Sequence, residues 1–348
     1  MPGGSPTILV AMSGGVDSSV AAWLLREEGL KAAGAFLRFG HARADSADEQ
    51  DARRVAEALG IPLRVLHWPD ALDEVMAYFC AEYAAGRTPN PCIRCNRLVK
   101  FGRLMDYAAA EGFDLLATGH HARVVRRDGR ALLARAAGRR KDQSYALFHL
   151  PRERLGRIRL PVGELADKRR VRAIAEKLGL HVHDKPDSQE VCFIPDDDYV
   201  RFLRQRAPEA MKPGRILSAA GQVLGEHDGH GQFTTGQRRG LGVAAGVPMY
   251  VTAIDPATGD VTIGGREAAR GTRLRAAGAN WHADVPAEFD ATVQVRYNHA
   301  GAAARVRRTG PDAFEAEFAR PVHAITPGQA AVVYRDDVLL GGGWIRRD

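Results

Sequence analysis

The sequence predicts an α/β protein in which a parallel-sheet domain is followed by a small central domain and a C-terminal β-barrel-like domain. Over roughly the first 195 residues, short apolar runs alternate with helical patterns, as in sheets built from strand–helix–strand crossovers. After Lys212, glycine and proline become frequent and the apolar runs shorten, which indicates short strands and tight turns. We therefore expect domains at residues 1–199, 200–270 and 271–348.

Each predicted element follows from its own pattern. Continuous apolar runs of strand length predict buried strands, and apolar residues three and four apart predict amphipathic helices. In the first domain these patterns predict, in chain order, a strand at 7–12, a helix at 18–28, a strand at 33–37, a helix at 46–59, a strand at 63–66, helices at 71–85 and 96–111, a strand at 114–118 and a helix at 167–178. Farther along they predict strands at 248–254, 261–263, 292–296 and 330–334.

The charge of the chain is concentrated in one block. Net charge is +7. The segment from Arg123 to Arg172 contains sixteen Lys or Arg residues and five Asp or Glu residues, a local net charge of +11, so the rest of the chain has a net charge of −4. Such a block suits a polyanion, and the alternative is an arginine-rich solvated surface. No apolar run approaches the ~20 residues that cross a bilayer, and the first residues lack the pattern of a signal peptide. We expect a cytoplasmic protein without membrane association.

A phosphate-binding loop is predicted at residues 13–19, Ser-Gly-Gly-Val-Asp-Ser-Ser, because this run follows a strand and opens a helix. Gly14 and Gly15 allow a tight turn close to an anion. The serine hydroxyls and the N–H groups at the helix start can donate to phosphate oxygens, and Asp17 could help to hold Mg²⁺. The Gly-x-x-x-x-Gly-Lys-Ser/Thr motif of P-loop enzymes does not occur. The alternative is an ordinary turn rich in small residues.

Two cysteines form a second motif. Cys92 and Cys95 follow a proline-stiffened loop just before the predicted helix at 96–111, a position that lowers the pKa of a thiol. The alternative is half of a zinc site, but no second Cys-x-x-Cys completes it. Cys192 lies in a loop far along the chain, and Cys80 lies in an apolar helical pattern typical of a buried cysteine.

The loop at 13–19 resembles the PP-loop of the ATP pyrophosphatase superfamily, and the whole chain resembles the bacterial tRNA-specific 2-thiouridylase family. That resemblance implies a PP-loop nucleotide-binding first domain and sulfur transfer to the wobble uridine of certain tRNAs. The segments that carry it are residues 13–19, 90–96, 117–121, 141–145, 188–193, 234–240, 295–297 and 326–329.

The resemblance also implies roles for individual residues. Cys95 would be the nucleophile and Cys192 would carry sulfur as a persulfide, received from a sulfur-donor relay that a cysteine desulfurase feeds. ATP would contact Ala11, Met12, Ser13, Gly14, Gly15, Val16, Asp17, Ser18, Leu37 and Gly119. The target base would contact Asn90, Pro91 and Cys92. The tRNA would contact His120, Lys141, Asp142, Gln143, Arg296, Tyr297 and Gln329.

Cys92 departs from the best-known members of this family, in which an aspartate occupies this position. The departure casts doubt on a carboxylate role there. It also opens a second chemistry, in which Cys92, Cys95 and Cys192 hold a 4Fe–4S cluster, because thiolates are the usual ligands of such clusters. Cys92 is otherwise a bystander of metal-free persulfide chemistry.

The mechanism that the resemblance implies begins with ATP adenylating O2 of the uridine and releasing pyrophosphate. The Cys192 persulfide then supplies sulfur, and a Cys95–Cys192 disulfide remains, which an external reductant must reset. One alternative is an amidotransferase-like enzyme that delivers nitrogen to a small molecule, which needs neither a basic block nor paired cysteines. Another is a non-catalytic RNA-binding protein with an inactive nucleotide fold. A dependence of pyrophosphate release on added tRNA would distinguish the thiouridylase hypothesis from both alternatives.

Overall fold

The computed structural model describes residues 5–40, 44–187, 191–194 and 196–347. The chain divides into two compact units. The first comprises Met1–Asp73, Ile93–Gln189 and Asp337–Leu339, and the second comprises Glu74–Cys92, Glu190–Asp336 and Leu340–Asp348. The three domain boundaries expected from the sequence stay a prediction.

The helices and strands of the described residues have the following bounds. The α-helices are α1 Val16–Glu27, α2 Ala47–Ala58, α3 Asp73–Ala84, α4 Pro91–Cys95, α5 Leu104–Ala110, α6 Lys168–Lys177 and α7 Tyr199–Arg206. The strands up to residue 159 are β1 Thr7–Ala11, β2 Lys31–Phe39, β3 Leu63–Trp68, β4 Leu115–Ala117, β5 Ala122–Arg127, β6 Arg130–Arg135 and β7 Ile158–Arg159. The later strands are β8 Gly214–Ser218, β9 Val223–His227, β10 Tyr250–Ile254, β11 Val261–Gly264, β12 Arg270–Trp281, β13 Glu288–Gln294, β14 Ala302–Gly310, β15 Ala313–His323, β16 Ala330–Arg335 and β17 Val338–Ile345.

The first unit is built on the parallel sheet that the sequence predicts. Its strands lie in the order β3-β2-β1-β4-β7, and every pair is parallel. Ile8, Leu9 and Val10 of the central strand β1 are fully buried, because helices cover both faces of such a sheet. The predicted α/β class is confirmed.

An antiparallel hairpin in the basic block was not predicted. Strands β5 and β6 pair from Ala122–Arg135 to Arg127–Arg130, around a turn at Asp128 and Gly129 that has positive φ at both residues. An Asp-Gly turn of this kind matches the twist of paired strands. Burial in this hairpin decreases from Ala122 and Arg135 toward the exposed turn and does not alternate along either strand, so no strand period marks it in the sequence.

The helix predicted at 96–111 begins earlier than expected and is irregular. Helix α4 starts at Pro91, a residue suited to the first helical position, and ends at Cys95. A π-helical segment, Asn96–Arg103, continues it, and α5 follows. The expectation that Cys92 and Cys95 precede the helix is therefore wrong, since both lie within its first turns.

The second unit contains the two predicted β-rich regions. Strands β10, β11, β8 and β9 form a four-stranded sheet in that order. Strands β12, β15, β14, β13, β16 and β17 form an antiparallel barrel, which closes where β12 pairs with β17. Closure leaves no exposed strand edge in this barrel. The predicted C-terminal barrel is confirmed.

Helix α3 belongs to this second unit, where an aromatic cluster holds it. Phe79 packs edge-on against Phe193 at 5.5 Å and against Phe202 of α7 at 5.9 Å, and Tyr83 stacks on Tyr199 at 5.4 Å between ring centroids. Cys80 is half-buried against the same cluster, and burial raises the pKa of its thiol. This agrees with its predicted core position.

Candidate active site

The phosphate loop joins β1 to α1 at the carboxyl edge of the parallel sheet, where such sheets commonly bind ligands. Gly14 has a φ of +73°, and a Cβ there would lie 2.2 Å from the carbonyl oxygen of Asp48 in α2. At Gly119, just beyond β4, a Cβ would lie 2.6 Å from the amide nitrogen of Ser18. The loop therefore requires glycine at both positions, because backbone from two neighbouring segments closes on it.

The serine hydroxyls of the loop are used to shape it. The Ser18 hydroxyl accepts from the Ser13 N–H at 3.2 Å and donates to the Gly15 carbonyl at 3.0 Å, and the Ser19 hydroxyl donates to the same carbonyl at 2.9 Å. No described side chain caps α1, whose N-cap residue is Gly15. The N–H groups of its first turn are therefore the better donors for an anion.

The other residues predicted to bind ATP surround the same loop. Met12 and Val16 are buried in the core, so only their backbone can face a ligand. Ala11 ends β1, and Leu37 lies on the adjacent strand β2, half-buried. The structure thus gathers the predicted ATP residues at one edge of the first unit, around β1, β2 and β4.

Asp17 stands between the imidazole of His121 and the ammonium of Lys168. Its Oδ1 lies 3.0 Å from Nε2 of His121, and its Oδ2 lies 2.6 Å from Nζ of Lys168 at the start of α6. Burial would raise the pKa of Asp17, but the hydrogen bonds and charges of His121 and Lys168 outweigh it and lower the pKa below its usual value. Asp17 is therefore ionised, and both of its oxygens are already engaged.

A second carboxylate, Asp187, extends this cluster. Lys168 lies 2.7 Å from Asp187 Oδ1, Lys141 lies 3.0 Å from Oδ2, and Arg172 lies 3.4 Å from Oδ1. Burial would raise the pKa of Asp187, but Lys168 and Lys141 lower it to about 2. Three cations around two carboxylates leave net positive charge beside the phosphate loop, which favours a polyphosphate.

Lys185 contacts the phosphate loop at the Gly14 carbonyl. Its ammonium donates to the Gly14 carbonyl at 3.1 Å and pairs with Asp48 at 2.7 Å and with Asp51 at 2.5 Å. His181 also contacts Asp51, at 2.8 Å. Burial would raise the pKa of Asp51, but Lys185, His181 and Arg54 lower it to about 2. These contacts link the Gly14 carbonyl of the loop to α2.

The sequence reasoning missed the roles of Lys168, Asp187, Lys185 and Asp51. Their partners lie far apart in the chain, for example 151 residues between Lys168 and Asp17. Only one local signal pointed to this cluster. Lys168 and Arg172 lie four apart on α6, on the same helix face, at the end of the basic block.

The predicted tRNA residues 141–143 lie on a turn that is internally bonded. The Asp142 carboxylate accepts from the Ala136 N–H at 2.9 Å and pairs with Arg135 at 3.0 Å. The Gln143 side chain accepts from the His121 N–H at 2.8 Å. Asp142 and Gln143 therefore hold the turn that carries Lys141, and their contact with tRNA stays a prediction.

His120 is predicted to touch tRNA and lies next to the Asp17 partner His121. Its Nδ1 is 2.7 Å from the Thr118 hydroxyl, and its ring is 5.8 Å from that of Phe101. Burial and then the positive charges of Lys100 and His121 lower the pKa of His120 well below its usual value. His120 would therefore meet a ligand as a neutral ring.

The three candidate cysteines differ in exposure. Cys92 is exposed and Cys95 is buried, three residues apart on α4. Cys192 is exposed, on a turn that the neighbouring Phe193 anchors against Phe79. Cys95 belongs to the first unit, and Cys92 and Cys192 belong to the second.

In the second unit, Gln329 holds the segment predicted to meet the target base. Its side-chain amide donates to the Thr88 carbonyl at 3.0 Å and to the Pro89 carbonyl at 3.2 Å. Gly328 lies so close that a Cβ there would be 2.8 Å from the Thr88 carbonyl oxygen. Asn90, Pro91 and Cys92 follow this fixed point directly.

Arg296 and Tyr297 follow strand β13. The guanidinium of Arg296 donates to the His323 carbonyl at 2.7 Å, so it is held against the end of β15. The Tyr297 side chain is 40% exposed, one of few large apolar groups among the described residues that face solvent. An exposed aromatic ring suits stacking on a base.

Models of three protein domains match the chain in sequence order. They are the tRNA methyl transferase HUP domain over residues 6–196, the tRNA methyl transferase PRC-barrel domain over 200–265 and the aminomethyltransferase beta-barrel domain over 271–345. The tRNA-specific 2-thiouridylase MnmA of Carboxydothermus hydrogenoformans is 45% identical over 99% of this chain and 98% of its own. The same enzyme of Syntrophotalea carbinolica is 47% identical over 97% and 98%.

The chain belongs to the tRNA-specific 2-thiouridylase family. Among solved structures, a U34-tRNA thiolase from Methanococcus maripaludis with its 4Fe–4S cluster is 20% identical over 59% of this chain and 69% of its own, with a TM-score of 0.38. That likeness is too distant to support an inference about the site.

The basic block of this 2-thiouridylase family member is largely engaged in internal contacts. Arg139 pairs with Asp337, and Arg154 pairs with Asp106 at 2.9 Å. Arg157 and Arg123 donate to backbone carbonyls. Arg140, by contrast, is exposed and forms no ion pair within the described part of the chain. No helix in that part is long and apolar enough to traverse a bilayer.

Proposed function

We propose that this protein uses ATP to activate O2 of the wobble uridine in particular tRNAs and replaces that oxygen with sulfur. The observation that carries the proposal is a phosphate loop bordered by the Asp17–Lys168–Asp187 ion pairs, in a chain that matches 2-thiouridylases over their full length. The loop supports the binding and cleavage of ATP, and membership of the family supports tRNA as the substrate that receives sulfur.

For the ATP half, the first-turn amides of α1 would bind the phosphates, and Lys168 and Lys141 would neutralise the departing pyrophosphate. Asp17 would hold Mg²⁺, which supplies charge neutralisation, because a carboxylate is a ligand that this ion prefers. Lys168 already pairs with Asp17. When ATP binds, the Lys168 ammonium would exchange part of its contact with Asp17 for contact with the triphosphate. O2 attacks the α-phosphorus, and pyrophosphate leaves.

For the sulfur half, Cys192 would carry a persulfide and Cys95 would complete the transfer. The terminal sulfur of the persulfide attacks C2, and AMP leaves with the former O2. The Cys95 thiolate then attacks Sγ of Cys192, which releases the thiolated base and forms a Cys95–Cys192 disulfide. An external dithiol reduces this disulfide. The exposure of Cys192 supports loading by a separate sulfur-donor protein of a relay fed by a cysteine desulfurase.

The iron–sulfur alternative requires Cys92, Cys95 and Cys192 in one donor set. Among the described residues, which include all three, no group of three or more His, Cys, Asp or Glu side chains is arranged to hold a metal ion. Iron analysis of anaerobically purified protein tests this alternative directly, with activity following iron content as the result that favours it.

The roles of the two thiols are tested with labelled sulfur. Cys192→Ser should neither load sulfur nor thiolate tRNA, whereas Cys95→Ser should load sulfur and fail to transfer it. Cys80→Ser is the matched control, since Cys80 packs against an apolar cluster and should keep both activities. Equal loading of Cys192→Ser and Cys95→Ser would contradict the assigned roles.

The class of reaction is tested by pyrophosphate release. We expect release from ATP to require added tRNA and to stop when the tRNA lacks the wobble uridine. Release without tRNA would favour an enzyme that acts on a small molecule. Binding of tRNA without any release would favour a non-catalytic RNA-binding protein.

A further inference from the structure

The second unit contains a cavity of about 230 Å³ that the proposed reaction does not use. Several stretches of chain line it, among them the residues after α3, the strand β10, the start of β12 and the residues after β17. Gly86, with a φ of +66°, forms part of its wall, and a Cβ there would lie 3.2 Å from Ile254. The wall of the cavity is therefore closely packed at Gly86.

Arginine dominates the lining of this cavity. Its lining includes five arginines and no Asp or Glu, and Thr235 and Thr252 add hydroxyl groups. The arginines are Arg87, Arg270, Arg273, Arg346 and Arg347. The lining includes no Phe, Tyr or Trp. Such a surface attracts anions and offers no ring on which a base could stack.

Three of the five arginines have carboxylate partners outside the lining. Arg87 forms two hydrogen bonds with Glu82, at 2.7 and 2.6 Å. Arg273 pairs with Glu317 at 2.9 Å, and Arg270 pairs with Glu267 at 3.2 Å. These pairs reduce the positive charge that the three residues present to a ligand.

Arg346 and Arg347 keep their charge available. Both are exposed, and neither forms an ion pair within the part of the chain that the structure describes. Arg347 donates to the Ile254 carbonyl at 2.8 Å, which fixes its guanidinium at the cavity. The pKa of nearby Asp255 is lowered, first by the Ala257 N–H and to a smaller extent by the charge of Arg347. This carboxylate does not lie in the lining.

We propose that this arginine cavity binds the phosphodiester backbone of tRNA and is a contact separate from the catalytic cysteines. The inference rests on the proposed function, because it takes tRNA as the substrate. Arginine forks match phosphate oxygens in a bidentate manner, and phosphate contacts set the register of a protein on nucleic acid. The absence of aromatic residues from the lining favours backbone phosphates over a bound free nucleotide.

The test compares two double variants of the full-length protein. Arg346→Gln with Arg347→Gln removes the two available charges of the cavity. Arg206→Gln with Arg320→Gln removes two exposed arginines of the same unit that do not line it. Binding of fluorescent tRNA is measured over a range of salt concentrations, and KM is measured for tRNA and for ATP. The single variant Arg346→Gln is a further check, because the Arg346 side chain forms no hydrogen bond with another described residue whose loss could disturb folding.

We expect the cavity variant to bind tRNA about tenfold more weakly and to lower the slope of log K against log salt by about 1.5 to 2. KM for tRNA should rise while kcat and KM for ATP stay unchanged, and the control variant should show less than half of each change. Equal effects of the two variants, or a rise in KM for ATP alone, would overturn the proposal. Wild-type protein that binds no tRNA would instead refute the proposed function, and this inference with it.

Discussion

Asp17 is the residue on which the phosphate loop and its cations converge. Replacement by Asn keeps the shape but removes the charge that Lys168 and His121 contact. We expect tRNA-dependent pyrophosphate release to fall by about 100-fold or more, as is common when a charged group at a reacting phosphate is lost. Affinity for tRNA should stay near that of the wild type.

Asp70→Asn is the control for this change, because Asp70 is an exposed carboxylate of the same unit whose ion pair, among the described residues, is with exposed Arg103. It should leave pyrophosphate release unchanged. Release by Asp17→Asn at the wild-type rate would remove Asp17 from the ATP site.

The local sequence pattern predicted the phosphate loop, but it did not predict which distant residues contact that loop. Gly14, Gly15 and Asp17 could be placed because a strand, two glycines and a helix start are adjacent in the chain. Lys185 could not, because its contacts with Gly14 and Asp51 join residues 171 and 134 apart. Those ion pairs depend on tertiary structure, which single-sequence patterns do not contain.

Among the elements, α2 is tied to the phosphate loop by Asp51. Its folded-state pKa of about 2 lies below the ordinary value of 3.8, so its contribution to stability is complete above about pH 5 and is lost as pH falls through about 2. Asp51→Asn should lower the free energy of unfolding by about 1–3 kcal/mol at pH 7. Denaturant titrations at pH 7 and pH 3 should show a smaller difference at pH 3. A difference that grows on acidification would contradict this account.

The loop between β15 and β16 is coupled to the segment before α4 by Gln329. Gln329→Leu keeps the volume but cannot donate to the Thr88 and Pro89 carbonyls. We expect kcat for thiolation to fall about tenfold, since misplacing the segment proposed to contact the target base is costly. Affinity for tRNA should change less than twofold. A loss of affinity with unchanged kcat would instead support direct contact of Gln329 with tRNA.

Elements with strong apolar patterns were predicted, and those with mixed patterns were not. Four of the five parallel strands, β1 to β4, were predicted within a few residues, as were α1, α2 and α6, because buried strands and amphipathic helices have clear apolar patterns. The two-residue strand β7 was not predicted. Strand β14, Ala302–Gly310, alternates alanine and valine with arginine and was missed. The π-helical turn after Cys95 leaves no simple periodic signal.

Over the whole molecule, net charge is a poor guide to the surface that meets RNA, because internal carboxylates neutralise much of the basic block. Arg140→Gln should lower the slope of log K against log salt by about 0.7 to 0.9 for tRNA binding. Arg139→Gln should change it by less than half as much, since Arg139 already pairs with Asp337. Fluorescence titrations over several salt concentrations compare the two. If both variants lowered the slope equally, the ion pair with Asp337 would not prevent Arg139 from contacting RNA.

The hydrogen bonds from Gln329 to Thr88 and Pro89 also have a consequence in time. Thr88 leaves the ribosome 241 residues before Gln329, which is about 10–50 s at bacterial rates of synthesis of ~5–20 residues per second. During that interval the exposed thiol of Cys92 is present on a nascent chain that lacks the contact fixing its neighbouring segment. A chain that stops short of β16 would contain the complete phosphate loop, yet it would lack the contact that fixes Thr88 and Pro89, which precede the segment proposed to meet the target base. Under the proposed function, competence for the reaction is therefore acquired only near the end of translation.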